Sequence, residues 1–153
     1  MSSPVLICTD GSELSIAALA AGVALLAPGT DFVVVTVIDR LDPLLMSGSG
    51  HAGPLMTEQE YVAEKASAVD EAASIIARTQ QQLGLTGCES RVLHGPASDS
   101  ICQLAGEVSA AAIVIGSRGR GGWKRAVLGS VSDEVVRNAP CTVLVTGPAP
   151  AKS

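Results

Sequence analysis

Gly116, Gly119 and the pair Gly129-Ser130 stand in the spacing Gly-x2-Gly-x9-Gly-Ser, and Arg118, Arg120, Lys124 and Arg125 fall between them. Four of the chain's ten basic residues thus lie within eight positions of a protein whose formal net charge is -5. The chemistry this suits is anion binding. Glycine lets backbone N–H groups approach phosphate oxygens with no Cβ in the way, and a helix starting at Ser130 adds unpaired N–H donors and a positive dipole end. A second candidate is Asp10, in Thr9-Asp10-Gly11-Ser12. Its carboxylate can accept hydrogen bonds from ribose hydroxyls or help hold a metal ion carried on phosphates.

These residues need a scaffold that brings distant loops together, and the hydrophobic pattern describes one. Pro4 to Cys8 reads as a short buried strand, followed by a helix from Leu14 to Leu26 that stops at Pro28-Gly29. Asp31 to Val37 is a β-branched run ending at Ile38-Asp39, and its unbroken apolarity suits a parallel strand covered on both faces. Arg40 to Leu55 is rich in Pro, Gly, Ser and Met and reads as a loop. Thr57 with Glu60 forms a capping-box signature for a long helix that ends at Leu83-Gly84. A strand over Cys88 to Leu93, a helix over Ala97 to Val108, a strand over Ala111 to Ile115, a helix over Ser130 to Arg137 and a last strand over Thr142 to Thr146 complete the chain. Five strands alternating with helices predict an α/β, Rossmann-like fold, an open five-stranded parallel sheet with helices on both faces and right-handed crossovers. With strands one and four central, the order is 3-2-1-4-5. The loops that follow those two strands then face each other at the switch point, where doubly wound sheets bind ligands. One domain over residues 1–147 and a flexible tail over 148–153 are expected.

Composition removes several classes of function. Phe32, Tyr61 and Trp123 are the only aromatics, which argues against a base-stacking surface for single strands, and a sequence pI near 4.9 argues further against a general nucleic-acid binder. No apolar run approaches the roughly 20 residues of a membrane span. Cys8, Cys88, Cys102 and Cys141 show neither a CxxC pair nor metal-ligand spacing, which predicts buried, inert thiols in a reduced, cytoplasmic setting. His51 and His94 have no nucleophile or carboxylate placed with them in the sequence, and no catalytic set or metal site is assigned.

The candidate loops also have purely structural readings. Asp-Gly-Ser is an ordinary turn with Ser12 as a helix N-cap, and Ser130 with Asp133 is a possible cap for the fourth helix. Asp133 and Glu134 would oppose a phosphate unless they point away. A P-loop needs Gly-x4-Gly-Lys-Ser/Thr, and a dinucleotide fold needs Gly-x-Gly-x-x-Gly after the first strand. Neither is present.

Taken together, Asp10 at the end of the first strand and Gly116-x2-Gly119-x9-Gly129-Ser130 resemble the ATP-binding branch of the universal stress protein family. The likeness spans the chain, through Val5 to Ser12, Val35 to Asp39, His94-Gly95-Pro96-Ala97 and Cys141 to Val145, with Pro140-Cys141 standing where the family often has Cys-Pro. It implies that Asp10 contacts ribose and that the backbone at Val37 pairs with the adenine edge. Gly116 and Gly119 would admit ribose and phosphates, Gly129, Ser130 and Val131 would hold the phosphate chain, and Thr9 and Ile115 would line the same cleft; Arg118, more basic than the motif requires, is counted with the nucleotide-binding residues for its charge. The resemblance further implies ATP with Mg²⁺ as ligand, a homodimer paired through Thr142 to Thr146, and a stress-response or signalling role with at most slow hydrolysis. Two alternatives remain open on the sequence: an adenine-nucleotide hydrolase or transferase acting at the α-phosphate, and a nucleotide-independent scaffold or chaperone-like dimer. The protein partner and the inducing stress are not encoded in any motif.

Overall fold

A computed structural model describes residues 2–39, 56–117 and 128–147. The loop expected at Arg40 to Leu55, with His51, lies outside the described residues, as do Arg118, Gly119, Arg120, Trp123, Lys124, Arg125 and the tail 148–153.

The strands are β1 (Val5–Cys8), β2 (Phe32–Ile38), β3 (Glu89–His94), β4 (Ala112–Gly116) and β5 (Thr142–Thr146). Between them run α1 (Glu13–Val23), α2 (Glu58–Leu83), α3 (Ala97–Glu107) and α4 (Ser130–Asn138). All strand pairs are parallel and the order is β3-β2-β1-β4-β5, as the sequence pattern predicts. β1 is flanked in register by β2 and β4, with Cys8 between Val35 and Ile115. The carboxyl ends of β1 and β4 therefore lie side by side.

Alternation along the central strands builds two apolar layers. Leu6, Cys8, Val33, Val35, Ile113 and Ile115 face Ile101, Leu104 and Ala105 of α3 and Val135 of α4. Val5, Ile7, Val34 and Val114 face Leu19 of α1 and Ile76 of α2 on the other side. β3 reads less cleanly than the others because it is an edge: Glu89, Ser90 and Arg91 are exposed.

The helix ends follow local chemistry. Thr57 and Glu60 make the full capping box of α2, and Gly84 ends that helix in the left-handed conformation. α1 stops at Val23 rather than Leu26, because Leu25 and Leu26 donate to carbonyls three residues back and tighten the last turn.

Candidate nucleotide site

A cleft of about 950 Å³ opens at the carboxyl ends of β1, β2 and β4. Its floor is apolar, formed by Cys8, Val35, Ile101 and Ile115. Its rim carries the loop after β1, the loop after β2 and the first turn of α4. Thr9, Asp10, Val37, Ile115, Gly116, Gly129, Ser130 and Val131 all line it. These are the described members of the set selected from sequence, drawn from four separate stretches of chain; Arg118 and Gly119 are the two that fall outside the described residues.

The first loop is held by a dense set of bonds. Strand pairing continues one residue past β1, with the Thr9 N–H donating to the Val35 carbonyl at 2.9 Å. The Thr36 hydroxyl donates to the Thr9 carbonyl at 2.9 Å. Asp10 Oδ1 accepts from the Ser12 N–H at 2.9 Å and from the Ser12 hydroxyl at 2.7 Å, which fixes the carboxylate's orientation over the turn. Ser12 Oγ in turn accepts from the Ser15 N–H and caps α1. The turn reading of Asp-Gly-Ser and a place at the cleft therefore coexist in one loop.

At the opposite rim the Gly129 N–H donates to the Ser117 carbonyl at 3.0 Å, which joins the end of β4 to the start of α4 at the cleft edge. Gly129 is itself the N-cap of α4, and no side chain caps that end. The sequence alternative in which Ser130 and Asp133 form the cap does not occur. The first helical bond runs from the Asp133 N–H to the Gly129 carbonyl at 2.9 Å, which leaves the amides of Ser130, Val131 and Ser132 without an intrahelical acceptor. An oriented set of amides at a helix start is a ready anion site. The two carboxylates of that helix are engaged elsewhere: Asp133 accepts from Arg137 at 2.9 Å, and Glu134 accepts from the buried Ser98 hydroxyl of α3.

The structure adds residues that the sequence did not single out. Ala68, Glu71, Ala72 and Ile75 of α2 form one wall, and Asp39, Ser117 and Ser132 join the rim. Alanine and isoleucine at helical spacing read as core, and no sequence signal marks them as cleft wall. The described charged residues of the lining, Asp10, Asp39 and Glu71, are all carboxylates. Cys8 is buried in the floor, and burial pushes its thiol up to about 12, with Cys102 and Cys141 adding to the effect. A neutral thiol of this kind is packing, not a nucleophile. Cys88, Cys102 and Cys141 are half-buried rather than buried, a correction to the sequence expectation. They pack against the margins of the apolar layers, Cys102 from the middle of α3 and Cys88 and Cys141 from just before β3 and β5. His94 ends the edge strand beside Ile38 and is not part of the lining.

The model of the Universal stress protein family matches residues 1–147. The chain belongs to that family. It is 27% identical over 148 residues to Universal stress protein YxiE of Bacillus subtilis, covering 95% of this chain and 99% of that one. Among solved structures, hypothetical protein MJ0577 superimposes with a TM-score of 0.68 at 21% identity, covering 95% of this chain and 96% of that one. A universal stress protein in complex with cAMP superimposes with a TM-score of 0.58 at 24% identity, covering 96% and 98%. Among the described residues of this universal stress protein, no helix is long and apolar enough to cross a membrane.

Proposed function

We propose that this universal stress protein binds ATP in the cleft between the β1 and α4 loops and acts as a nucleotide-dependent stress-response or signalling module. The observation that carries the reading is the facing pair at the switch point, an oriented Asp10 carboxylate on one rim and the uncapped start of α4 on the other. In this reading Asp10 accepts from the ribose hydroxyls. The adenine lies on the apolar floor with its edge against the backbone at Val37. The phosphates meet Gly116, Gly129, Ser130 and Val131, and Arg118 and Gly119 belong to the same phosphate loop. A relative of this fold in complex with cAMP supports an adenine nucleotide as the ligand class.

Mg²⁺ enters on the nucleotide's phosphates. Among the described residues no three ligating side chains converge, which fits an ion that keeps waters and phosphate oxygens and borrows at most a carboxylate such as Asp10. The proposed unit is one domain over 1–147 with a tail at 148–153, cytoplasmic, and homodimeric through β5. β5 is a sheet edge in the single chain, and pairing it removes that edge.

The test is mass spectrometry and HPLC of the small molecule released when purified protein is denatured, followed by calorimetric titration with Mg-ATP, ADP and AMP. Co-purified or tightly bound ATP that stays intact on incubation is the expected result. AMP with pyrophosphate as products would establish the hydrolase alternative, and a protein that binds none of the three would establish the nucleotide-independent scaffold.

A further inference from the structure

The long helix α2 does more than wall the cleft, because its C-terminal half grips the loop that carries Asp10. Thr79 is fully buried, and its hydroxyl lies 3.1 Å from the Thr9 hydroxyl. The direction of that bond follows from the others. Thr79 Oγ1 donates its single hydrogen to the Ile75 carbonyl at 2.8 Å, so it must accept from Thr9. Thr9 Oγ1 in turn accepts from the Gly11 N–H at 3.0 Å. The chain therefore runs one way, from the Gly11 amide through the Thr9 and Thr79 hydroxyls to the Ile75 carbonyl. One turn along the same face, Arg78 Nη2 donates to the Gly11 carbonyl at 2.5 Å.

Both peptide groups of Gly11 are thus referred to α2, and Gly11 takes φ +78° with the Ile75 side chain and the Arg78 guanidinium filling the place a Cβ would need. Asp10 sits between the two anchored residues. The bonds at Thr9 N–H and Thr9 C=O come from β2, and those at Ser12 come from the loop itself. The bonds from α2 are of another kind, since they tie the turn to the element that supplies the cleft wall at Ile75.

We propose that Thr79 and Arg78 are positioning residues that hold the Thr9–Ser12 turn so that the Asp10 carboxylate is set to receive ribose hydroxyls. The proposal rests on the nucleotide reading of the cleft and specifies which part of the ligand α2 controls. Removing the Thr79 hydroxyl leaves the buried Thr9 hydroxyl without its acceptor, so the Thr9 oxygen that receives the Gly11 N–H is no longer tied to α2. The turn then relaxes where Asp10 is attached, while the apolar floor and the α4 terminus are untouched.

Calorimetric titration of wild type, Thr79→Val, Thr79→Ser and Arg78→Met with ATP and with 2′,3′-dideoxy-ATP separates the possibilities. Thr79→Val keeps the side-chain shape, and Arg78→Met keeps the methylenes and leaves Thr79 intact. The expected result is a loss of about tenfold in ATP affinity for Thr79→Val and Arg78→Met, from one hydrogen bond's worth of orientation in each case. Affinity for the dideoxy nucleotide should stay within twofold, and Thr79→Ser should bind ATP as wild type does. Equal losses for both nucleotides would show general loosening of the cleft and overturn the proposal, as would unchanged ATP affinity in both variants. Wild-type protein that binds neither nucleotide would overturn the nucleotide reading itself, and this one with it.

Discussion

Gly129→Ala separates what the fold requires from what a ligand requires. Gly129 has φ -59° and ψ 156°, a conformation any residue adopts. A Cβ placed there meets the Ser117 carbonyl oxygen at 3.5 Å and Ser132 Oγ at 3.6 Å, which is ordinary contact. Among the described residues, neither backbone nor packing therefore demands glycine. Replacing glycine by alanine at a compatible position narrows the unfolded ensemble and stabilises by about 0.4–1 kcal/mol. For a chain of this length that corresponds to a rise in Tm of about 1–4 °C. If the glycine is there to let phosphate approach, the added methyl crowds the ligand, and overpacking of about 1–3 kcal/mol weakens binding about 5- to 150-fold. The assay pairs thermal unfolding of the free protein with calorimetric titration of Mg-ATP. The signature is opposite movement, with stability held or raised and affinity lowered. Wild-type affinity in a stabilised variant would refute the reasoning, because the space beside Gly129 would then not be ligand space. A fall in Tm would refute the packing half of it.

Gly11→Ala should behave in the other way, with its positive φ and a Cβ only 2.6 Å from Ile75 Cγ1; Tm should fall by several degrees even without ligand. The Cys8 thiol, held up to about 12 by burial against 9.0 for an ordinary thiol, keeps its proton in the folded chain while the unfolded chain loses it. Stability should therefore decline by about 1.4 kcal/mol per pH unit above pH 9, and Cys8→Ala should flatten that alkaline limb in denaturant titrations. Bonds from the Thr57 backbone and hydroxyl hold the Glu60 carboxyl below its ordinary 4.5, so its support for the start of α2 is present above that value and is lost as pH falls through the lowered one. Amide exchange over residues 58–61, corrected for intrinsic rates, should become less protected below pH 4.5, and Thr57→Ala should show the same loss at neutral pH. Leu19→Ala, at a fully buried position between α1 and the sheet, should cost about 2–5 kcal/mol in urea unfolding.

The alternation of apolar strand runs with helical patterns determined a parallel sheet by itself, and its order followed with strands one and four as the central pair, which the structure bears out. The glycine spacing and Asp10 were equally legible, since small residues and a carboxylate at loop positions carry their chemistry in their type. Tertiary structure alone decided the rest. That Gly129 rather than Ser130 caps α4, and that Asp133 and Glu134 are drawn aside by Arg137 and Ser98, depends on rotamers and on neighbours from another helix. The role of α2 was also invisible. Ala68, Ala72, Ile75 and Thr79 have the composition of a buried helix face, and only the placement of that face across the β1 loop turns it into cleft wall at one end and anchor at the other. A residue's type states what bonds it can make. Which of them it makes at this cleft is decided by elements remote in the chain, whose approach no local pattern records.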